Sequence, residues 1–316
     1  MKNFTVGKND AGQRLDKFLR KAAPGLPASL FYKAIRQKDI KINKKRCQPG
    51  DKLEEGDVVS AYLPGELLAP KTHLFLTAKA ELDIVYEDEN IILLNKPQGL
   101  LAHEGDTPGP DTLIARVQRY LYQSGAWDPQ KENSFTPALC NRIDRNTCGI
   151  VMAAKNFEAL QILSEKLRQR EITKLYLCVL HGAPEKKSGL LRGYLSKDES
   201  AKRVQVAQAP LPGAKTALTK YRVLAERGGK SLVEAELITG RTHQIRAQFA
   251  DAGHPILGDA KYGNSRENKL LGNKQALCAY KIIFSFTTPS GPLDYLAGKS
   301  FQIKAPFAGD FPGYSL

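Results

Sequence analysis

The chain has 316 residues, 42% of them apolar, and a formal net charge of +14. That length suggests two domains, or one large domain with a small companion, and no apolar run approaches the roughly 20 residues that a membrane span needs. The opening segment, MKNFTVGKND, lacks the apolar stretch of a signal peptide. A cytoplasmic protein is therefore expected, and a membrane surface as partner has no lipidation or juxtamembrane signal behind it.

Five cysteines, Cys47, Cys140, Cys148, Cys178 and Cys278, are scattered without a C-x-x-C pair. Neither a zinc site nor a disulfide framework is indicated. The positive charge is clustered: from Arg14 to Arg46 there are eleven Lys or Arg against two acids, Asp16 and Asp39. Within that window Leu15, Phe18, Leu19 and Ala22 recur at helical spacing, and the segment from Pro24 to Pro27 breaks the chain. Leu30, Phe31, Ala34 and Ile35 then predict a second short helix, with Ser29 as its N-cap. DIKIN, residues 39–43, alternates as a strand, and Leu53, Val58 and Val59 close the unit. Residues 12–62 read as a small basic α+β domain whose apolar faces turn inward. Its candidate RNA contacts are Arg14, Lys17, Arg36, Lys38, Lys44 and Lys45. Solvated faces normally mix charge signs, so the near absence of acids points to a phosphate backbone as partner.

Residues 63–80, with Pro64, Gly65 and Pro70, read as a linker. Strand-like runs follow at Ile84 to Tyr86 and Ile91 to Asn95. Lys96-Pro97-Gln98-Gly99 must leave the second run, because Pro cannot continue a ladder and Gly permits positive φ. Residues 111–122 predict an amphipathic helix, and Asn156 caps another that turns Leu160, Leu163 and Leu167 inward. Ile172 to Leu180 reads as a strand with Tyr176, Cys178 and Leu180 on one face. Residues 183–213, rich in Gly, Pro and charge, are assigned no strand. Two strands are expected at 217–224 and 232–237, then a turn at Thr239-Gly240. A helix from about Thr242 buries Ile245 and Phe249 and ends at Gly253. Arg241 falls at the strand–helix junction, a place that opens into clefts. The tail, 276–306, carries further strands. No regular βαβ repeat appears, so residues 81–316 predict an α+β domain built on one large mixed or antiparallel sheet with flanking helices.

The stretch that organises the chain is NRIDRNTCGIVMAAKN, residues 141–156. Asp144 stands between Arg142 and Arg145, in a polar loop that leads into a buried strand. Neighbouring guanidiniums favour an ionised carboxylate, which suits a nucleophile or an electrostatic stabiliser. Taken alone, such a loop is more often a surface turn whose Asp caps backbone amides. A second carboxylate placed as a glycosidase would need it is not evident. His103, His243 and His254 lack metal-ligand spacing, which argues against a metal-dependent hydrolase.

Two resemblances bear on this. RLDKFLRKAAPGLPASLFYKAIRQKDIKINKKRCQPGDKLEEGDVV resembles the small RNA-binding domain named after ribosomal small-subunit protein four. NRIDRNTCGI and GRTHQIRAQFADAGHPILGD, with LLNKPQGLLAH and KLYLCVLHG in order, resemble the RluA-type family of ribosomal RNA pseudouridine synthases from roughly Leu82 to the C-terminus. The resemblance implies that uridine in RNA is isomerised to pseudouridine without cofactor or metal. It implies Asp144 as the catalytic carboxylate, Arg241 as the arginine paired with it and Tyr176 as the residue against the target base. Arg142 and Arg145 would serve the RNA or the carboxylate. Asn141, Cys148 and Cys278 depart from the family's usual residues. Large-subunit ribosomal RNA is the favoured substrate, with transfer RNA left open. The alternative function is an RNA-binding assembly factor without catalysis.

Overall fold

The computed structural model describes residues 1–68, 74–104, 111–198, 203–263, 268 and 274–311. At the N-terminus lie β1 (Lys2–Thr5), α1 (Leu15–Ala22), α2 (Ala28–Gln37), β2 (Ile40–Ile42), β3 (Lys45–Arg46) and β4 (Val58–Ala61). The strands form an antiparallel sheet in the order β1-β4-β2-β3. The periodic positions of α1 are those that are buried. The unit starts ahead of residue 12, since β1 pairs with β4 and Phe4 and Val6 join its core. Pro27, not Ser29, is the N-cap of α2, with extended backbone and no side-chain cap. Asn43 and Lys44 both have positive φ and link β2 to β3 as a two-residue hairpin turn.

In the segment expected as a linker, short 3₁₀ turns at Gly65–Leu68 and Leu74–Thr77 border residues outside the described ones. Leu68 belongs to the N-terminal core, and Phe75 and Ala78 to the large one.

The large domain runs β5 (Ile84–Glu87), β6 (Ile91–Lys96), α3 (Leu113–Gln123), β7 (Ala138–Leu139), β8 (Cys148–Ala154), α4 (Phe157–Arg168), β9 (Ile172–His181), β10 (Ser188–Asp198), β11 (Arg203–Ala207), β12 (Lys215–Arg227), β13 (Lys230–Leu237), α5 (Gln244–Asp251), β14 (Leu277–Phe284) and β15 (Ser300–Gln302). One mixed sheet has the order β11-β10-β12-β13-β9-β14-β8-β6-β5, with β7 added on β8 and β15 on β14. Among the described pairs only β8 and β14 run parallel.

Thr112 and Asn156 cap α3 and α4 through their side chains. The two faces of the sheet are filled by strand alternation. Val151 and Ala153 of β8 join Tyr176, Cys178 and Leu180 of β9 in the core beneath α3 and α5. Ile150, Met152 and Ala154 face α4.

The stretch 183–213, assigned no strand from sequence, contains the hairpin β10–β11. Gly189 and Gly193 are residues of β10. A Cβ at Gly189 would come within 2.9 Å of the Tyr221 ring, and one at Gly193 within 2.8 Å of Val206. Side chains from the neighbouring strands occupy those places, and this erases the apolar alternation that would have marked the strand.

The two units share a polar seam. Asp10, 1% exposed, accepts hydrogen bonds from the Ser134 amide and hydroxyl and from Asn133 Nδ2. Gln13 Nε2 donates to Ser134 Oγ, and the Phe157 amide to Asn9 Oδ1. A buried network with its partners in place holds one relative orientation.

Candidate active site

Asp144 sits in the loop that feeds β8. Ile143 is buried beside it, and the Thr147 amide closes the turn onto the Asp144 carbonyl. Gly149 then has φ +115°, and a Cβ there would lie 2.3 Å from the Ala279 carbonyl oxygen. Only glycine lets β14 come this close, in the parallel register Cys278–Cys148 and Ala279–Gly149.

The loop after β6 is bound to the same place. Lys96 is fully buried, and its Nζ donates to the carbonyls of Pro97 (2.8 Å), Leu100 (2.8 Å) and Arg145 (3.0 Å). Burial pushes its pKa down from 10.5 to about 8, against the pull of Cys148 and Asp144. Gly99, at φ +86°, donates its amide to the Arg145 carbonyl, and Arg145 Nε donates back to the Gly99 carbonyl. Lys96 is thus an internal strut that presents the Asp144 loop, not an exposed phosphate ligand.

The Asp144 side chain is 25% exposed. Its Oδ2 accepts a 2.7 Å hydrogen bond from a guanidinium Nη1 102 residues away, that of Arg246. The remaining edge of the same guanidinium is held by fully buried Asp259, Nε to Oδ2 at 2.7 Å and Nη2 to Oδ1 at 2.9 Å. Burial works against the charge of Arg246. The bonds and charges of Asp259 and Asp144 outweigh it and raise its pKa above the ordinary guanidinium value. For Asp259 burial likewise works against the carboxylate, and Arg246 overrides it to hold the pKa low. A guanidinium held bidentate on one side has little freedom left, so it offers Asp144 a fixed donor. Among the described residues Asp144 Oδ1 has no hydrogen-bond partner.

Tyr176, 5% exposed, lies beneath this pair on β9. Burial first, and the Asp144 charge second, raise the pKa of its hydroxyl, so it stays a neutral phenol. Tyr262 flanks the site, its ring 5.2 Å from the guanidinium carbon of Arg246 and 5.2 Å from that of Arg203.

One expected partner is corrected. Arg241 is exposed; its Nε donates to the Thr216 carbonyl and its amide to Gln244 Oε1. The strand–helix junction turns residue 241 outward, and Arg246, more than one turn further along the chain in α5, points inward. Arg142 and Arg145 are exposed as well, and the charge beside Asp144 comes from α5 rather than from its sequence neighbours. Arg14, Lys17, Arg36, Lys38, Lys44 and Lys45 lie on the N-terminal unit, and all six are exposed. Among the described residues no group of three His, Cys, Asp or Glu is placed to hold a metal ion, and no helix is long and apolar enough to cross a membrane.

Sequence reasoning missed Arg246, Asp259, Tyr262 and the tethering role of Lys96. A signal for Arg246 was present. Its helix buries Gln244, Arg246 and Gln248 together with Ile245 and Phe249, so QIRAQF has no solvated polar face. Charge inside such a helix requires a partner, and GHPILGD supplies an Asp shortly afterwards.

Comparison with known proteins shows the family. The RNA pseudouridylate synthase family model matches residues 90–251 and the S4 domain model residues 13–59. The chain is 32% identical over 315 residues to ribosomal large subunit pseudouridine synthase C of Haemophilus influenzae, covering 96% of this chain and 94% of that protein. It is 34% identical over 267 residues to the protein of the same name in Haemophilus ducreyi, covering 83% and 79%. Human RNA pseudouridylate synthase domain containing 4 shares the fold, with a TM-score of 0.54 at 22% identity over 71% of this chain and 88% of that one. The fold and the matched models define an RNA-modifying isomerase joined to an S4 domain. The chain belongs to the RNA pseudouridylate synthase family, and it is an RNA pseudouridine synthase.

Proposed function

We propose that the protein converts specific uridines of large-subunit ribosomal RNA to pseudouridine in the cytoplasm, with Asp144 as the carboxylate that acts on the sugar. The observation that carries this reading is the asymmetry of Asp144: Oδ2 is held by Arg246, while Oδ1 has no partner among the described residues. The reaction breaks the N1–C1′ bond, turns the uracil, joins C5 to C1′ and returns the C5 proton to solvent. It is redox-neutral. Oδ1 serves the anomeric carbon while the glycosidic electrons reside on the base, either by adding to the sugar or by stabilising its cationic form. The target uridine must leave its stack to reach this depth, and Tyr176 offers an apolar surface with a neutral hydroxyl. The substrate assignment draws on the ribosomal large subunit named in the similar bacterial enzymes and on the basic N-terminal unit.

The test uses ribosomal RNA carrying tritium at carbon five of uracil. The wild-type protein is expected to release tritium; Asp144→Asn and Asp144→Ala are expected to bind the RNA with unchanged affinity and release none. Substantial release by Asp144→Ala would overturn the role of the carboxylate. Pseudouridine mapping in cells with and without the protein tests the substrate, and sites lost from transfer RNA instead of large-subunit RNA would overturn that part.

A further inference from the structure

Arg246 is not the only side chain at the start of α5 turned toward Asp144. His243, the residue before the helix, has φ 54° and ψ 19°, a left-handed backbone on a residue other than glycine. Such a conformation is strained and persists where the surroundings impose it. It is not spent on capping, because the side chain makes no capping hydrogen bond to the helix. It aims the imidazole. Nδ1 lies 3.0 Å from the Tyr262 hydroxyl, and Nε2 lies 3.8 Å from Asp144 Oδ2, the oxygen that Arg246 already holds.

The Tyr262 hydroxyl also accepts the Val204 amide proton at 2.9 Å. With one lone pair so engaged, its own proton is directed to Nδ1, and the neutral ring then carries its proton on Nε2. Burial lowers the pKa of His243. Arg246 and Lys261 add to that, while Asp144 and Asp259 oppose it. The ring facing Asp144 is therefore a neutral donor.

We propose that His243 is a positioning residue for the isomerisation. Its Nε2–H, set by Tyr262 and Val204, joins Arg246 in holding Asp144 Oδ2, so that Oδ1 alone addresses the sugar. Catalytic hydrogen bonds are commonly long before substrate binds and tighten in the complex. The inference rests on the reading of Asp144 as the acting carboxylate. It also gives β11 a part in the site, because Val204 belongs to that strand.

The experiment compares His243→Gln, which keeps an N–H near the position of Nε2, with His243→Phe, which keeps a ring and no donor, and with Tyr262→Phe. His243→Phe and Tyr262→Phe are expected to lower kcat by about ten- to a hundredfold, the scale on which misplacement of a reacting group acts, with KM for RNA unchanged. His243→Gln is expected to recover most of the loss. Imidazole nitrogen chemical shifts should report the Nε2–H tautomer in wild type and a mixture in Tyr262→Phe. Wild-type kcat in His243→Phe, equal impairment of the Phe and Gln variants, or an Nδ1–H tautomer in wild type would each overturn the proposal. An active Asp144→Ala protein would instead remove the reading on which it rests.

Discussion

Arg246 carries two obligations, and they separate in experiment. Truncation to Ala strands fully buried Asp259 without its cation, which costs about 3–5 kcal/mol of stability. Arg246→Lys keeps the charge and loses the fork; we expect kcat to fall about a hundredfold while part of the stability returns. Arg241→Ala, at an exposed position bonded to a carbonyl, should leave kcat within about threefold of wild type, because surface substitutions cost little. Steady-state tritium release and urea unfolding measure both. Lys96 offers a test in pH. Its folded-state pKa, about 8, lies below the ordinary 10.5, so between those values the unfolded chain holds a proton that the native state has shed. Stability then rises with pH across that window, by at most about 1.4 kcal/mol per unit. Lys96→Met should lose this slope. At neutral pH it should also unfold more readily by about 2 kcal/mol, because three carbonyls lose their donor. Urea midpoints of both proteins at two pH values read it directly.

Elements were legible where periodicity was undisturbed. In β9 the alternation read from sequence, Tyr176, Cys178 and Leu180 against Leu177 and Val179, is the partition between the two cores. β10 was illegible because Gly189 and Gly193 stand where apolar side chains would have shown the period, and the reason lies in Tyr221 and Val206 on neighbouring strands. Gly149 has the opposite character. It lies at the start of β8, at the point where that strand meets β14. Gly149→Ala would set a Cβ 2.3 Å from a backbone oxygen, which cannot be relieved by turning a side chain. We expect a loss of more than about 3 kcal/mol in urea unfolding and a displaced Asp144 loop.

At the scale of the molecule, the basic window and the catalytic sheet are joined by the Asp10–Ser134 seam. Removing the N-terminal unit would leave Asn133, Ser134 and the Phe157 amide without partners, so a charge variant tests the RNA grip more cleanly than truncation. Arg36, Lys38, Lys44 and Lys45 are all exposed. Changing all four to Gln should reduce the slope of log affinity against log salt by about one unit for each phosphate that is no longer neutralised, with kcat at saturating RNA unchanged. An unchanged slope would show that this face does not grip RNA.

The sequence by itself determined the two-part α+β organisation, the basic face, the strand that carries Tyr176 and the loop that carries Asp144. All of these are written in local periodicity and charge. Only the tertiary structure decided which arginine reaches that carboxylate. Arg241 and Arg246 differ by five residues, and the direction each takes depends on how α5 seats on the sheet and on buried Asp259 from the turn beyond it. Helical and strand periods are properties of neighbouring residues, whereas the partner of a buried charge is chosen by whatever packing brings within a hydrogen bond of it.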